Sequence, residues 1–447
     1  MGYISVLTHS FADGYNRDFK RLFGGGLERY IFRLCQVIRD IGHIPEVHQL
    51  SYYEAFHRTI EEIEVFGYPY DPDHIPQAFD EMASRARGPL IYACCIWHPL
   101  NYVPGSLGIC HGINWDRHNL PAAAKREIAG SIQRALDQLD TLVSVDSHFL
   151  TYCRAACTYQ DPHQVVLIPN SVDTEYFKPV HLMLGDAEAD KTIDEEALRK
   201  KVKGRTAYLH HGDEEQDGEH RDQDNEKDSH SPPDLHTVTK ASDLQAAEDS
   251  SNQKSIRLLF PRRISLERGI IPMMLASDRL LGAYPALTIE FAGERVEGST
   301  IGKTFEIWRK HHPHKDRIYA KSYKFDEMLL AYQQADIAVI PTIFSEGTSY
   351  ACLEAMSCGL PVVAGNVGGL NDIVQDGFNG LSVPPVEENL VAAICRLIDD
   401  DELRERMGNQ ARQTALSYDD HKWDLAWKTV LQHHLSRKAR KERLLPR

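Results

Sequence analysis

Two carboxylates eight positions apart, Glu346 and Glu354, sit in the stretch of this chain best suited to chemistry, Phe344–Gly369. The apolar run Ile337–Pro341 precedes it, and Gly347, Thr348 and Ser349 then open a helical pattern that Gly359 and Pro361 close. Glu346 stands before that helix, and Glu354 lies about one and a half turns inside it. The two acids therefore address opposite ends of one ligand, Glu346 a sugar and Glu354 a ribose, since a carboxylate is a good acceptor for neighbouring hydroxyls. The first N–H groups of such a helix lack internal partners and its dipole is positive there, which suits a diphosphate between the two ends. Spacing alone leaves a plainer account open, with Glu346 favouring the helix dipole and Glu354 on the surface.

Residues placed this way need a sheet behind them. Short apolar runs recur at Ile4–Thr8, Ile44–Leu50, Pro89–Cys95, Leu107–Cys110, Thr141–Val145 and Val165–Pro169. They resume at Arg257–Phe260, Leu287–Ala292, Arg317–Ala320, Ile337–Pro341, Pro361–Ala364 and Gly380–Val383. Helical patterns lie between them, such as Leu27–Ile41 with its 3.6-residue apolar period, and later Pro272–Leu281, Phe325–Gln334, Ser349–Ser357 and Asn389–Ile398. Strands alternating with helices predict parallel sheets covered on both faces, here twice over. Ligands of such sheets bind beyond the carboxyl ends of the strands, which is where Glu346 falls.

The chain's 447 residues suggest two to four domains at ~100–200 residues each. The alternation stops between His181 and Lys254, which hold nineteen acidic and ten basic residues of a chain with net charge −15. That segment cannot bury enough apolar surface to offset its ordering entropy and is expected to be a disordered insertion, with a short helix at Glu195–Val202. Its acidity is local, so it says little about what the folded parts bind. No run approaches the ~20 apolar residues of a membrane span. Met1–Arg21 has no basic region followed by an apolar run, so no secretory signal is expected. Nine cysteines without a Cys-x-x-Cys pair read as reduced thiols of a cytoplasmic protein.

The stretch from Glu346 resembles the glutamate-x7-glutamate signature of the retaining GT-B glycosyltransferases of family 4, E-G-F-G…E-A-M-x-x-G-x-P-V-V-A…G-G. Glu346-Gly347, Glu354-Ala355-Met356, Gly359, Pro361-Val362-Val363-Ala364 and Gly368-Gly369 match it, and Thr348-Ser349 stand where Phe-Gly is commonest. Arg262-Arg263-Ile264-Ser265-Leu266-Glu267-Arg268-Gly269 resembles that family's G-R-L-x-x-x-K-G, with Arg262 at the glycine and Arg268 at the lysine. Gly24-Gly25-Gly26-Leu27-Glu28 resembles its amino-terminal glycine loop, although three glycines alone describe an ordinary turn equally well. His111-Gly112 is similar to its strand-end His-Gly, and Val166–Pro179 to its V-I-P-N-G-V-D…F-x-P, with Ser171 at the glycine.

The resemblance implies two facing Rossmann-like doubly wound α/β domains, 1–179 and 255–418, around the insertion 180–254. A C-terminal helix and basic tail, 419–447, would pack back on the first domain. It implies an enzyme that moves a hexosyl or N-acetylhexosaminyl group from a UDP- or GDP-type sugar to an acceptor with retention. Arg263, Arg268, Gly25 and Gly26 would hold the diphosphate, and Glu354, Gly347, Thr348 and Ser349 the sugar and nucleotide. Glu346 and His111 would lie at the reacting sugar. The donor is a co-substrate, and no cofactor or metal is expected: fixed cations can stabilise the leaving diphosphate, no Asp-x-Asp metal motif is placed at a strand end, and Asp222-x-Asp224 falls in the insertion. A sugar-nucleotide epimerase and a non-enzymatic scaffold share the architecture, but the paired glutamates and arginines resemble the transferases more closely. The acceptor is open among saccharides, lipid-linked glycans, polymers and small molecules; the tyrosine-rich segment Ser51–Phe79 could line its site. No nucleic acid partner is expected. The tail, with Arg437, Lys438, Arg440, Lys441, Arg443 and Arg447, suits peripheral contact with an anionic membrane at the inner face.

Overall fold

Short runs that are apolar throughout have no polar face to turn to water, so they must be covered on both sides. In the computed structural model of the chain they form the inner strands of two parallel sheets. The structure describes residues 2–13, 18–22, 25–94, 96, 98, 99–112, 115, 117, 119–184, 255–295, 298–323, 327–344 and 346–444. The expected helix at Glu195–Val202, Asp222 and Asp224 lie outside these residues. So do the side chains of the basic tail beyond Arg437.

The first sheet contains β1 (Tyr3–Thr8), β4 (Ile44–Ser51), β5 (Phe56–Ile60), β6 (Ile63–Pro69), β7 (Leu90–Tyr92), β8 (Leu107–Cys110), β9 (Thr141–Ser144) and β10 (Val165–Leu167). A separate ribbon pairs β2 (Ala12–Asp13) with β3 (Asp18–Leu22). The order of the large sheet is β10-β9-β8-β7-β1-β4-β6-β5, parallel except for the last pair. Alternate residues serve opposite cores. Val6, Ile91, Ile109 and Val143 face one cluster, and Leu7, Tyr92, Cys110 and Leu142 the other.

The second sheet contains β11 (Ile256–Phe260), β12 (Leu287–Ala292), β13 (Ile318–Lys321), β14 (Ile337–Ile340), β15 (Val362–Gly365) and β16 (Gly380–Val383). Its order, β13-β12-β11-β14-β15-β16, is the doubly wound order of mononucleotide-binding folds, reversing between β11 and β14. The C-terminal helix Asp420–Leu444 returns to the first domain. Its Trp423, Trp427 and Leu431 pack with Tyr30, Ile31 and Leu34 of the helix Gly26–Asp40, and Trp427 Nε1 donates to Tyr30 OH at 3.0 Å. Arg33 clamps the same helix through Asp424 at 2.8 Å.

The hairpin β5–β6 departs from the sequence reading, which treated Ser51–Phe79 only as an aromatic segment. Its two-residue turn is Glu61-Glu62, both at positive φ (48° and 62°). That is the geometry Asn-Gly or Asp-Gly normally announces, and two glutamates there give no such signal.

Candidate functional site

The chain leaves β11 at Pro261-Arg262 and β14 at Pro341-Thr342, so Arg262, Thr342 and Glu346 meet in the crevice where the second sheet reverses. Glu346 is 7% exposed. Its Oε2 accepts from Arg262 Nη2 at 2.5 Å, Thr342 Oγ1 at 2.7 Å and Arg268 Nη1 at 2.8 Å. Its Oε1 accepts from Arg262 Nη2 at 2.7 Å. Burial alone would raise this carboxyl, but the guanidinium groups of Arg262 and then Arg268 outweigh it and hold the pKa at about 2. Burial also lowers Arg268, with Glu346 opposing.

The other hand of Arg262, Nη1, donates to Ser349 Oγ at 2.8 Å. Ser349 is the N-cap of the helix Tyr350–Ser357, yet its hydroxyl does not cap that helix, whose first turn has no side-chain cap. Thr348 is buried against the first domain, donating its hydroxyl to Val145 O, while its own carbonyl accepts from Asn170 Nδ2 at 2.5 Å.

Glu354 is 4% exposed, so it is not a surface residue. Its Oε1 accepts from Arg29 Nη1 at 2.7 Å and its Oε2 from Tyr332 OH at 2.8 Å. Arg29 belongs to the first domain and also lies over the Tyr350 ring, 4.6 Å from its centroid. Gly25 is the N-cap of the helix Gly26–Asp40, and this cap too lacks a side-chain hydrogen bond. A Cβ on Gly26 would come within 3.2 Å of Tyr350, so the glycine turn lies against the helix that carries Glu354. Gly24 lies outside the described residues.

The first domain meets Gly347, the residue after Glu346, through the residues that follow β8. His111 Nε2–H donates to Ala93 O at 2.9 Å, which leaves Nδ1 as the acceptor of a neutral ring. Burial pushes its pKa down to about 4. Gly112 has φ +69°, a conformation that strains any side chain. A Cβ on Gly347 would stand 2.7 Å from His111 O and from Val145 Cγ2. The two domains thus touch backbone to backbone beside Glu346.

Arg263, one of the two cations read from the sequence, is not the arginine that grips Glu346. It is close enough to influence Glu28, whose carboxyl burial raises while Ser10, His9 and Arg263 pull it back. It also influences Arg268. Arg263 therefore faces the glycine-turn helix of the opposite domain. Sequence reasoning passed over three partners: Arg262, Arg29 and Tyr332. Arg262 had a signal, an arginine where the resembled motif has glycine. Arg29 and Tyr332 had none, because each pairs with Glu354 across a long separation in sequence.

The family described as "Glycosyl transferases group 1" matches residues 242–414. Over 174 residues the chain is 30% identical to the glycogen synthase of Mycobacterium tuberculosis, a match covering 39% of this chain and 40% of that protein. The chain thus spans about two fifths of the length of that relative. In three dimensions it is similar to sucrose-phosphate synthase from Thermosynechococcus elongatus, with a TM-score of 0.66 at 15% identity over 98% of this chain and 100% of the other. It is also similar to HepE from Anabaena, solved with UDP-glucose, with a TM-score of 0.63 at 15% identity over 97% and 100%.

Proposed function

Because residues 242–414 match the group 1 glycosyl transferases and the described residues have a GT-B fold, we propose that this protein is a retaining, metal-independent glycosyltransferase using a nucleoside diphosphate sugar. The observation that carries the reading is Glu346, ionised between Arg262 and Arg268 at the sheet reversal, next to Gly347, whose backbone packs on His111-Gly112 of the other domain.

Each residue then has a task. Glu354 takes the ribose, exchanging or sharing its bond to Arg29. The diphosphate lies between Arg263 and Arg268 on one side and the uncapped turn Gly25-Gly26 on the other. As the glycosidic bond to the diphosphate breaks, negative charge grows on the leaving oxygen, and fixed cations and helix N–H groups stabilise it without reorganising. Glu346 and the backbone of Gly347, Thr348 and Ser349 hold sugar hydroxyls, and His111 offers a neutral acceptor nitrogen to one more. UDP-glucose in the HepE structure supports a uridine nucleotide and a hexosyl group. Tyr52 and Tyr53, 55% and 52% exposed just beyond β4, lie on the strand-end edge of the first domain, where an acceptor would approach. The reading places the enzyme in the cytoplasm, with peripheral contact at an anionic membrane through its tail. Among the described residues no helix is long and apolar enough to cross a membrane.

A screen of nucleoside diphosphate sugars for slow hydrolysis in EDTA tests the proposal. One donor should be cleaved to the nucleoside diphosphate and the α-configured sugar by the wild type and not by Glu346→Gln. Acceptor-free conversion of the donor into an epimer would replace this reading with the epimerase one. Cleavage of no donor, or cleavage only on adding a divalent metal, would refute it.

A further inference from the structure

We propose that Arg262 is a positioning residue of the donor site, fixing Glu346 so that it presents one carboxylate edge to the sugar. The inference rests on the donor reading above and goes beyond it, because the motif that the chain resembles has glycine at this position and so supplies no such group.

The geometry is specific. Arg262 is 7% exposed and spans Glu346 and Ser349, the two residues that bracket the turn Gly347-Thr348. Among the described residues, three donors crowd Oε2 of Glu346, from Arg262, Arg268 and Thr342, whereas Oε1 receives only Arg262. A carboxylate has about four lone-pair sites in all, two on each oxygen. Oε2 is therefore filled, and Oε1 keeps the capacity to accept from a ligand hydroxyl. Lysine could supply the charge but not the fork that reaches a carboxylate and a serine hydroxyl together. Arg262 thus does two things that one cation on the phosphates would not: it orients Glu346 and it fixes the turn that meets the sugar.

The charged and titratable groups facing Glu346 are Arg262 beyond β11, Arg268 in the loop after it with Glu267 and Arg263 close by, and Cys352 on the helix Tyr350–Ser357. His111, whose carbonyl faces Gly347 from the first domain, stays neutral above pH ~5 because burial holds its pKa near 4. Removing Arg262 takes away the largest force that opposes the burial of Glu346 and leaves only Arg268 and the Thr342 hydroxyl against it, so the carboxyl pKa must rise. A depressed carboxyl is ionised above its pKa, so wild-type activity should be flat from pH 5 to 8, and the variant should lose activity as pH falls.

The test compares Arg262→Gln and Arg262→Lys with the wild type, using UDP and UDP-glucose as probes and the exposed-side Arg279→Gln as a control. Arg262→Gln should bind UDP within about threefold of the wild type and turn over UDP-glucose about 30-fold or more slowly. It should also show an acid limb between pH 5 and 7 that the wild type and the control lack. Arg262→Lys should keep the flat profile with a reduced rate. Carbon-13 NMR of glutamate-labelled protein, with Glu346 assigned from Glu346→Gln, gives a readout that needs no donor. Glu346 should titrate between pH 4 and 7 in Arg262→Gln and not in the wild type. If the wild type binds neither probe, the donor reading fails while the NMR titration still judges Arg262. An unshifted Glu346 titration, an unchanged pH profile, or wild-type rates in Arg262→Lys would overturn the proposal. If Arg262→Gln does not fold, the rate of Arg262→Lys decides: a reduced rate with a flat profile supports the proposal, and a wild-type rate overturns it.

Discussion

Glu346 and Glu354 lie eight residues apart, and both are almost fully buried, but they are built differently. Among the described residues, every side chain bonded to Glu346 comes from the second domain: Arg262, Arg268 and Thr342. Glu354 takes one bond from its own domain, Tyr332, and one from across the cleft, Arg29. One end of the site is therefore preassembled by a single domain, and the other is completed only when the two domains meet. A preassembled corner suits the reacting sugar, where fixed charges must already be in place when charge develops. A corner shared between domains suits the nucleotide, whose binding can then be coupled to closure.

The largest effect should come from Glu346→Gln. It leaves two guanidinium groups without their counter-charge, and breaking a buried pair costs ~3–5 kcal/mol. Transfer should fall at least ~100-fold, and the thermal midpoint should drop by roughly 6–20 °C. Calorimetric melting and donor kinetics read both. A stable variant with unimpaired transfer would abolish the contrast between the two corners.

Glu354→Gln should act on binding instead. Loss of a charged hydrogen bond, ~1.5–3 kcal/mol, corresponds to a donor KM about 10–150-fold higher, with a smaller change in kcat. An unchanged KM would remove Glu354 from the nucleotide. Gly347→Ala sharpens the same contrast from the interface. Its Cβ would stand 2.7 Å from His111 O, so the domains must separate. Activity should fall about tenfold, because a small misplacement of the reacting groups is costly, while circular dichroism stays native.

The contrast also marks what could be read from the sequence. The strands Leu107–Cys110, Leu287–Ala292 and Gly380–Val383 agree residue for residue with apolar runs visible in the chain. The helix holding Glu354 differs from its sequence reading by one residue at its start. These elements are local, and their signals are local too. The hairpin β5–β6 was missed because Glu61-Glu62 adopts a turn that its residue types do not announce. Arg262 was seen but not assigned, since spacing does not tell which of two adjacent arginines turns inward. The bond of Arg29 to Glu354 joins positions 325 residues apart and leaves no trace in either neighbourhood.

The smallest effect is expected from deleting residues 186–250. Closure entropy changes only ~0.6 kcal/mol per doubling of loop length, so the deletion variant should fold and transfer within about twofold of the wild type. A native circular dichroism spectrum with transfer abolished would instead give the acidic insertion a function of its own.

The most direct test of the central claim, that a nucleoside diphosphate joins the two domains without a metal, is a calorimetric titration with UDP and GDP in EDTA. The account predicts one nucleotide bound per chain by the wild type, with affinity lowered by both Glu354→Gln and Arg29→Gln, one variant from each domain. Absence of binding for both nucleotides at millimolar concentration, or binding only after a divalent metal is added, would contradict it.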